Sequence, residues 1–260
     1  MIIGALAFFA MGIVLGLIGG GGSILTVPIL VYLLGFSAHA ATGASLFIVG
    51  TVATIGALTA FLKKEIKLQE SFPFVFPSIA GVLVARSYLL PLLPDPVFGN
   101  EAFVLSKDSL LMMLFAVLML AAAYKMIRSV KVVQAQQAAH WFPVAVQGFL
   151  IGMTTGFIGA GGGFLIVPAL VFLLGYGLKQ AIGTSLFVIA VNSFVGFFAD
   201  LVQGEAKPWP LLLFAAGVAI AGLFLGRRLT PYFSEKSLKN IFGWFILILG
   251  MAILLEQAVK

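Results

Sequence analysis

Two clusters of glycine are the residues in this chain whose type and spacing could do chemistry. They are Gly19-Gly20-Gly21-Gly22-Ser23 and Gly159-Ala160-Gly161-Gly162-Gly163. Each interrupts an apolar run, and a proline follows, Pro28 in the first copy and Pro168 in the second. Glycine allows left-handed backbone and close approach by other atoms. Glycine N–H groups that open onto a helix N-terminus can hold an anion, because their donors point outward and the helix dipole places roughly half a positive charge there. Two such breaks facing each other would make an anion pocket with no full charge in it. Ser23 adds a hydroxyl in the first copy, and Phe164 adds none in the second. Pro28 and Pro168 lack the N–H that would reach the carbonyls of Ile24 and Phe164. Regular helix is therefore expected only from about Thr26 and Ile166.

Hydroxyls and one amide supply a second layer: Thr42, Ser45, Thr51 and Thr54 in one half, Thr184, Ser185, Asn192 and Ser193 in the other. Ser45 and Ser185 are the best-matched pair, just after Gly43 and Gly183. The commoner fate of Ser and Thr in a helix is to bond back to their own carbonyls. Asn192 should face the protein interior, since an unpaired amide in lipid is costly. Arg86 lies well inside an apolar run, where it would either attract an anion or snorkel to the interface. The candidate substrate contacts are Gly20, Gly21, Gly22, Ser23, Ser45, Arg86, Gly161, Gly162, Gly163, Thr184, Ser185 and Asn192. The pairs Gly12/Gly16, Gly152/Gly156 and Gly222/Gly226, spaced i, i+4, are assigned instead to close helix packing.

Enzyme chemistry finds no support. The chain has no cysteine, and its two histidines, His39 and His140, lie in different halves. No nucleophile–base pair, carboxylate pair or metal cluster falls in the apolar spans, so no metal or cofactor is expected. No lysine follows either glycine cluster, as a P-loop requires. Any transport would then be driven by an ion gradient (H+ or Na+), by the membrane potential or by a partner. Asp200 is the one acid deep enough to be a proton-coupling candidate.

The elements that must hold these residues are membrane helices. The chain has 260 residues, 62% hydrophobic and only 9% charged, against roughly 25% charged in soluble domains. Its apolar runs are continuous over about 20 residues, the length that crosses a hydrocarbon core, and not alternating as in a β-barrel. The lipid bilayer is one partner. The net charge of +6 sits in short connections, where it sets topology rather than binding nucleic acid. Met1-Ile2-Ile3-Gly4 lacks a basic leader and is taken as the start of the first helix.

Ten helical pieces are expected, at about 2–18, 24–35, 38–62, 71–93, 108–127, 142–158, 164–175, 178–202, 208–228 and 236–256. The fold class is an all-α polytopic membrane protein of two five-element repeats, 1–127 and 142–260, joined by a linker over 128–141. Residues 16–49 align with 156–189 without a gap, and 18 of the 34 positions are identical; duplication of this kind is a strong signal. If each break is a hairpin, 11 Lys and Arg fall on one face and 3 on the other, with Arg86 aside. That bias favours the hairpin, a cytoplasmic basic face and both termini outside. An odd number of pieces per half inverts the second repeat, a plan that places a transport site near the midplane.

The signature Gly159-Ala160-Gly161-Gly162-Gly163-Phe164-Leu165-Ile166-Val167-Pro168-Ala169-Leu170, with Ala181-Ile182-Gly183-Thr184-Ser185-Leu186, resembles the TauE/SafE family of sulfite and organosulfonate exporters. A weaker copy stands in the first half, Gly19 to Pro28 and Ala41-Thr42-Gly43-Ala44-Ser45-Leu46. The resemblance implies a secondary transporter of the cell (inner) membrane for a small sulfur-containing anion, alternating access around the two breaks. The residues alone stop at a small-solute transporter, with another anion or metabolite, or a non-transporting membrane subunit, as alternatives. The sequence leaves the oligomeric state open.

Overall fold

The structure, a computed structural model, describes residues 2–100, 103–128, 141–159, 161–203, 208–232 and 235–259. The expected linker over 128–141, with His140, lies almost wholly outside the described residues. Among those residues ten helices follow one another: α1 Ile2–Ile18, α2 Gly20–Leu33, α3 Ala38–Leu62, α4 Leu68–Leu92, α5 Lys107–Ile127, α6 Trp141–Ile158, α7 Gly163–Leu174, α8 Leu178–Val202, α9 Trp209–Leu229 and α10 Glu235–Val259. A two-stranded ribbon, β1 Phe98–Asn100 and β2 Phe103–Leu105, lies between α4 and α5. Six of the helices (α3, α4, α5, α6, α8 and α9) are long and apolar enough to cross a membrane.

Local chemistry sets the ends. Ser37 caps α3 by accepting from the Ala40 N–H at 3.2 Å, and Ser106 caps α5 by accepting from Ser109 at 3.1 Å. Gly35 and Gly175 end α2 and α7 in the left-handed region, at φ 71° and 64°. There the next residue bonds back in the same way in both halves, Phe36 to the Leu30 carbonyl and Tyr176 to that of Leu170. The Tyr176 hydroxyl lies 3.1 Å from Ser71 Oγ, and burial raises its pKa above the ordinary phenol value. It therefore stays a neutral hydroxyl that ties the α7–α8 connection to α4.

Helices from opposite halves pair through glycine. A Cβ at Gly12 would lie 2.0 Å from the Ala219 carbonyl oxygen, and one at Gly16 2.4 Å from that of Leu223. Across the same seam, Gly222 meets Phe9 and Gly226 meets Ile13. The rising register makes α1 and α9 parallel. Helices α4 and α6 pair likewise: Gly148 on Phe74, Gly152 on the Ser78 carbonyl at 2.0 Å, Gly156 on Ala85. The six glycines assigned to packing all lie in these two seams. With lipid as apolar as leucine, close backbone approach and van der Waals contact hold such helices together. The middle pair, α3 and α8, runs antiparallel, with Gly196 on Leu46, Gly50 on Ser193 and Gly56 on Leu186. Gly250 sets α10 against Met119 of α5.

The breaks differ from each other, and the second departs from expectation. In the first copy only Gly19 is left-handed, φ 76°. The chain then winds as a 3-10 turn over Gly20–Leu25, a short α segment over Thr26–Pro28 and a wide π turn over Ile29–Leu33. The α segment begins at Thr26, as expected, but gives way to the π turn after Pro28. In the second copy Gly159, Gly161 and Gly162 are all left-handed, φ 69°, 66° and 63°. They complete the reversal within the glycines, so α7 starts at Gly163 and runs through Pro168, three residues earlier than expected.

Gly152→Val should collapse the α4–α6 seam and abolish recovery of monodisperse protein in detergent, whereas Gly217→Ala, where a Cβ meets nothing within 4 Å, should leave yield and melting temperature unchanged. Size-exclusion chromatography and thermal melting read both variants.

Candidate functional site

The two glycine breaks touch. A Cβ at Gly20 would lie 2.3 Å from the Gly163 Cα, and one at Gly163 equally close to the Gly20 Cα. The contact sits beside Ile189, near the middle of the 25-residue helix α8. Gly161 faces Val49, near the middle of α3, together with Ile189 and Ser193. Only glycine permits two backbones to approach this closely.

Each break is also seated on the long helix of the other half. Gly19 packs on Ile182 of α8, and Gly159 on the backbone of Thr42 of α3. Thr42, Ser45 and Val49 fall on one face of α3, and Ile182, Ser185 and Ile189 on one face of α8, by the helical period. Ser45 and Ser185 are therefore one turn from residues that touch the opposite break. Their hydroxyls differ: Ser185 Oγ donates to the Ile182 carbonyl at 2.8 Å, whereas Ser45 Oγ is buried and has no partner among the described residues. Ser193 Oγ is in the same position, buried beside Gly161 and unpartnered among those residues, and so is Thr26 Oγ1, just beyond the first break. Unsatisfied buried hydroxyls are uncommon, since each costs about 1–3 kcal/mol. Several in the region of one backbone junction mark a place suited to a polar ligand.

The other candidates divide between this junction and elsewhere. Gly20, Gly161 and Gly163 form it. Gly21 and Ser23 are buried in the 3-10 turn, and the Ser23 hydroxyl donates to the Gly20 carbonyl at 2.7 Å. Gly22 and Gly162 pack within their own halves, a Cβ at Gly22 meeting the Leu15 backbone at 2.4 Å and one at Gly162 meeting Thr155 Oγ1. Thr184 lies near the start of α8, where it accepts from the Lys67 N–H at 3.2 Å. Thr51 and Thr54 bond to their own helix, to the Phe47 and Gly50 carbonyls.

Asn192 and Arg86 belong to a ladder between α4 and α8. Asn192 Oδ1 accepts from Ser78 Oγ at 3.1 Å, and the amide nitrogen is buried with no partner among the described residues. Eight residues further along each helix, Arg86 Nη1 donates to both carboxylate oxygens of Asp200, at 2.9 and 3.2 Å. Arg86 does not snorkel: it is 1% exposed, as is Asp200. Two lone charges in apolar helices imply one another, and that signal for the pair was present in the sequence. Gln203 Nε2 then donates to the Arg86 carbonyl at 3.1 Å. Ser78 and Thr26 carried no distinguishing pattern. Among the described residues no cluster of His, Asp and Glu could hold a metal ion.

The profile of the family described as "Sulfite exporter TauE/SafE" matches residues 4–253. A "Probable membrane transporter protein" of Xylella fastidiosa is 29% identical, covering 94% of this chain and 91% of its own. One of the same description from Haemophilus influenzae is 28% identical over 98% and 97%. "Probable membrane transporter protein YunE" of Bacillus subtilis is 24% identical over 95% and 98%. No solved structure matches the chain. The match to the family spans nearly the whole sequence, from α1 through both breaks into α10, and the chain belongs to the TauE/SafE family of membrane transporters.

Proposed function

We propose that this protein is a secondary transporter of a small sulfur oxyanion, sulfite or an organosulfonate, and that it works by alternating access around the junction of the two glycine breaks. The observation that carries this reading is the contact of Gly20 with Gly163, with the unpartnered hydroxyl of Ser193 beside Gly161 and that of Ser45 one helical turn from Val49, which Gly161 faces. An oxyanion offers acceptors only, and this region offers O–H groups and glycine backbone with no full charge. Neutral donors bind a desolvated anion firmly enough to admit it and weakly enough to release it. The description of the family supplies the cargo class. Coupling would be to H+, to Na+ or to the membrane potential.

The same reading makes residues 1–127 and 142–260 inverted repeats. Its support is the pairing of helices. The pairs α1–α9, α4–α6, α3–α8 and α5–α10 each take one helix from each half, the α1–α9 seam is answered by α6–α4, and the corresponding helices α3 and α8 cross antiparallel near their middles. A two-fold axis in the membrane plane at that crossing relates the two arrangements, and rocking one repeat against the other would open the junction to alternate sides. The face bearing Lys63, Lys64, Arg227 and Arg228 is placed in the cytoplasm and both termini outside, in the cell (inner) membrane.

Uptake of sulfite and of taurine into proteoliposomes tests the reading. Ser45→Ala and Ser193→Ala should each raise KM roughly tenfold, the loss of a hydrogen bond to a charged group worth about 1.5 kcal/mol, with melting temperature unchanged. Thr51→Ala, whose hydroxyl serves its own helix, should transport normally; equal kinetics in all three variants would remove the junction from the pathway. For topology, a periplasm-active reporter fused after Lys260 should be active and a cytoplasm-active one silent, and the reverse would invert the assignment.

A further inference from the structure

The Arg86–Asp200 pair has no counterpart in the other half. Asp200 corresponds to Ala60 at an offset of 140, and Arg86, aligned through Ala85 and Ala221, corresponds to Gly222. Whatever the pair does, the framework does not need it twice. A buried ion pair is weak support for stability, because desolvation offsets most of the attraction. Two features set it close to the second break. By the α3–α8 register, Asp200 lies one turn beyond Gly196, at the height of Thr42, where Gly159 opens the second break. Ala85, the residue before Arg86, packs its side chain on Gly156 of α6, one turn before that break. Arg86 also sits within a π-helical stretch, Val84–Leu89, a local widening that recurs at functional sites. Gln203 donates to the Arg86 carbonyl in that stretch.

We propose that Arg86 is a second anion site, at the mouth of the junction on the side of the second break, and that Asp200 is its resident competitor. The Asp200 carboxylate stands for the cargo: it presents two oxygens to one guanidinium nitrogen at 2.9 and 3.2 Å, as a sulfite or sulfonate group would. With no cargo present the pair is closed and neutral. An arriving oxyanion exchanges with the carboxylate on Arg86 and passes on toward the uncharged donors at the junction. The proposal rests on the reading of the chain as an anion transporter and adds to it an entry site with a built-in closing group. A resident competitor lowers apparent affinity by the fraction of time that Arg86 is open.

The test is calorimetric titration of the purified protein in detergent with sodium sulfite, sodium methanesulfonate and sodium chloride. Asp200→Asn should bind sulfite and methanesulfonate more tightly than the parent, on the order of tenfold, with no such gain for chloride. The gain should vanish in the uncharged pair Arg86→Gln/Asp200→Asn. Should Asp200→Asn fold only in the presence of sulfite or methanesulfonate, that rescue is the same result. Unchanged affinity in Asp200→Asn, a gain that survives in the double variant, an equal gain for chloride, or a single variant that neither anion rescues would each overturn the proposal. An Asp200→Asn gain alongside a parent that moves no anion would sink the transport reading and leave the Arg86 site standing. Normal flux sensitive to Ser45→Ala without the gain would do the opposite.

Discussion

Broken backbone cannot face lipid, and the rest of this structure follows from that constraint. Two stretches of the chain give up regular helix in a protein whose surroundings are hydrocarbon, and every N–H and C=O they release needs protein around it. Each break is buried in part by the other half. Gly19 is covered by Ile182 and Gly159 by Thr42, each from the other half, and Gly20 and Gly163 close on one another. The glycines that make the breaks also let them be sealed, because no side chain stands between the two backbones.

The seams at α1–α9 and α4–α6 hold the halves in the position that this seal requires. They are lined by glycine facing carbonyl oxygen, which gives close contact without interlocking side chains. The polar ladder of Ser78–Asn192 and Arg86–Asp200 is different in kind. It is directional and lies between α4 and α8 alone, since its counterparts between α9 and α3 are Phe214, Val52, Gly222 and Ala60. The helix pairs α1–α9 and α4–α6 are alike in their glycine packing, whereas the buried charge lies on one side only.

Much of the framework was legible in the sequence, for physical reasons. Continuous apolar runs bounded by Gly, Pro and paired lysines fix helix ends, so α3 and α8 fall where the pattern puts them. Glycines spaced four apart on a membrane helix have little use except close packing, and all six so assigned lie in the two seams. The partners of individual polar groups were not legible. Gly22 and Gly162 look identical to Gly20 and Gly163 in a string of letters, yet they pack on Leu15 and Thr155 of their own halves. Ser45 and Ser185 occupy equivalent positions, and only one donates to its own helix. Those choices depend on rotamers and on the path of the backbone through each turn, which the residue types do not distinguish. The ion pair is invisible in Arg86 or Asp200 taken singly and legible only from the two together, since the cost of one buried charge in the membrane implies the other.

Binding of the cargo where the two breaks meet is directly observable. A crystal grown with selenite, the selenium analogue of sulfite, would locate it by anomalous scattering at the selenium edge. A peak is expected where Gly20 and Gly163 meet, within hydrogen-bonding distance of Ser45 Oγ or Ser193 Oγ. Anomalous density confined to the basic face around Lys63 and Arg227, with none at the junction, would contradict it.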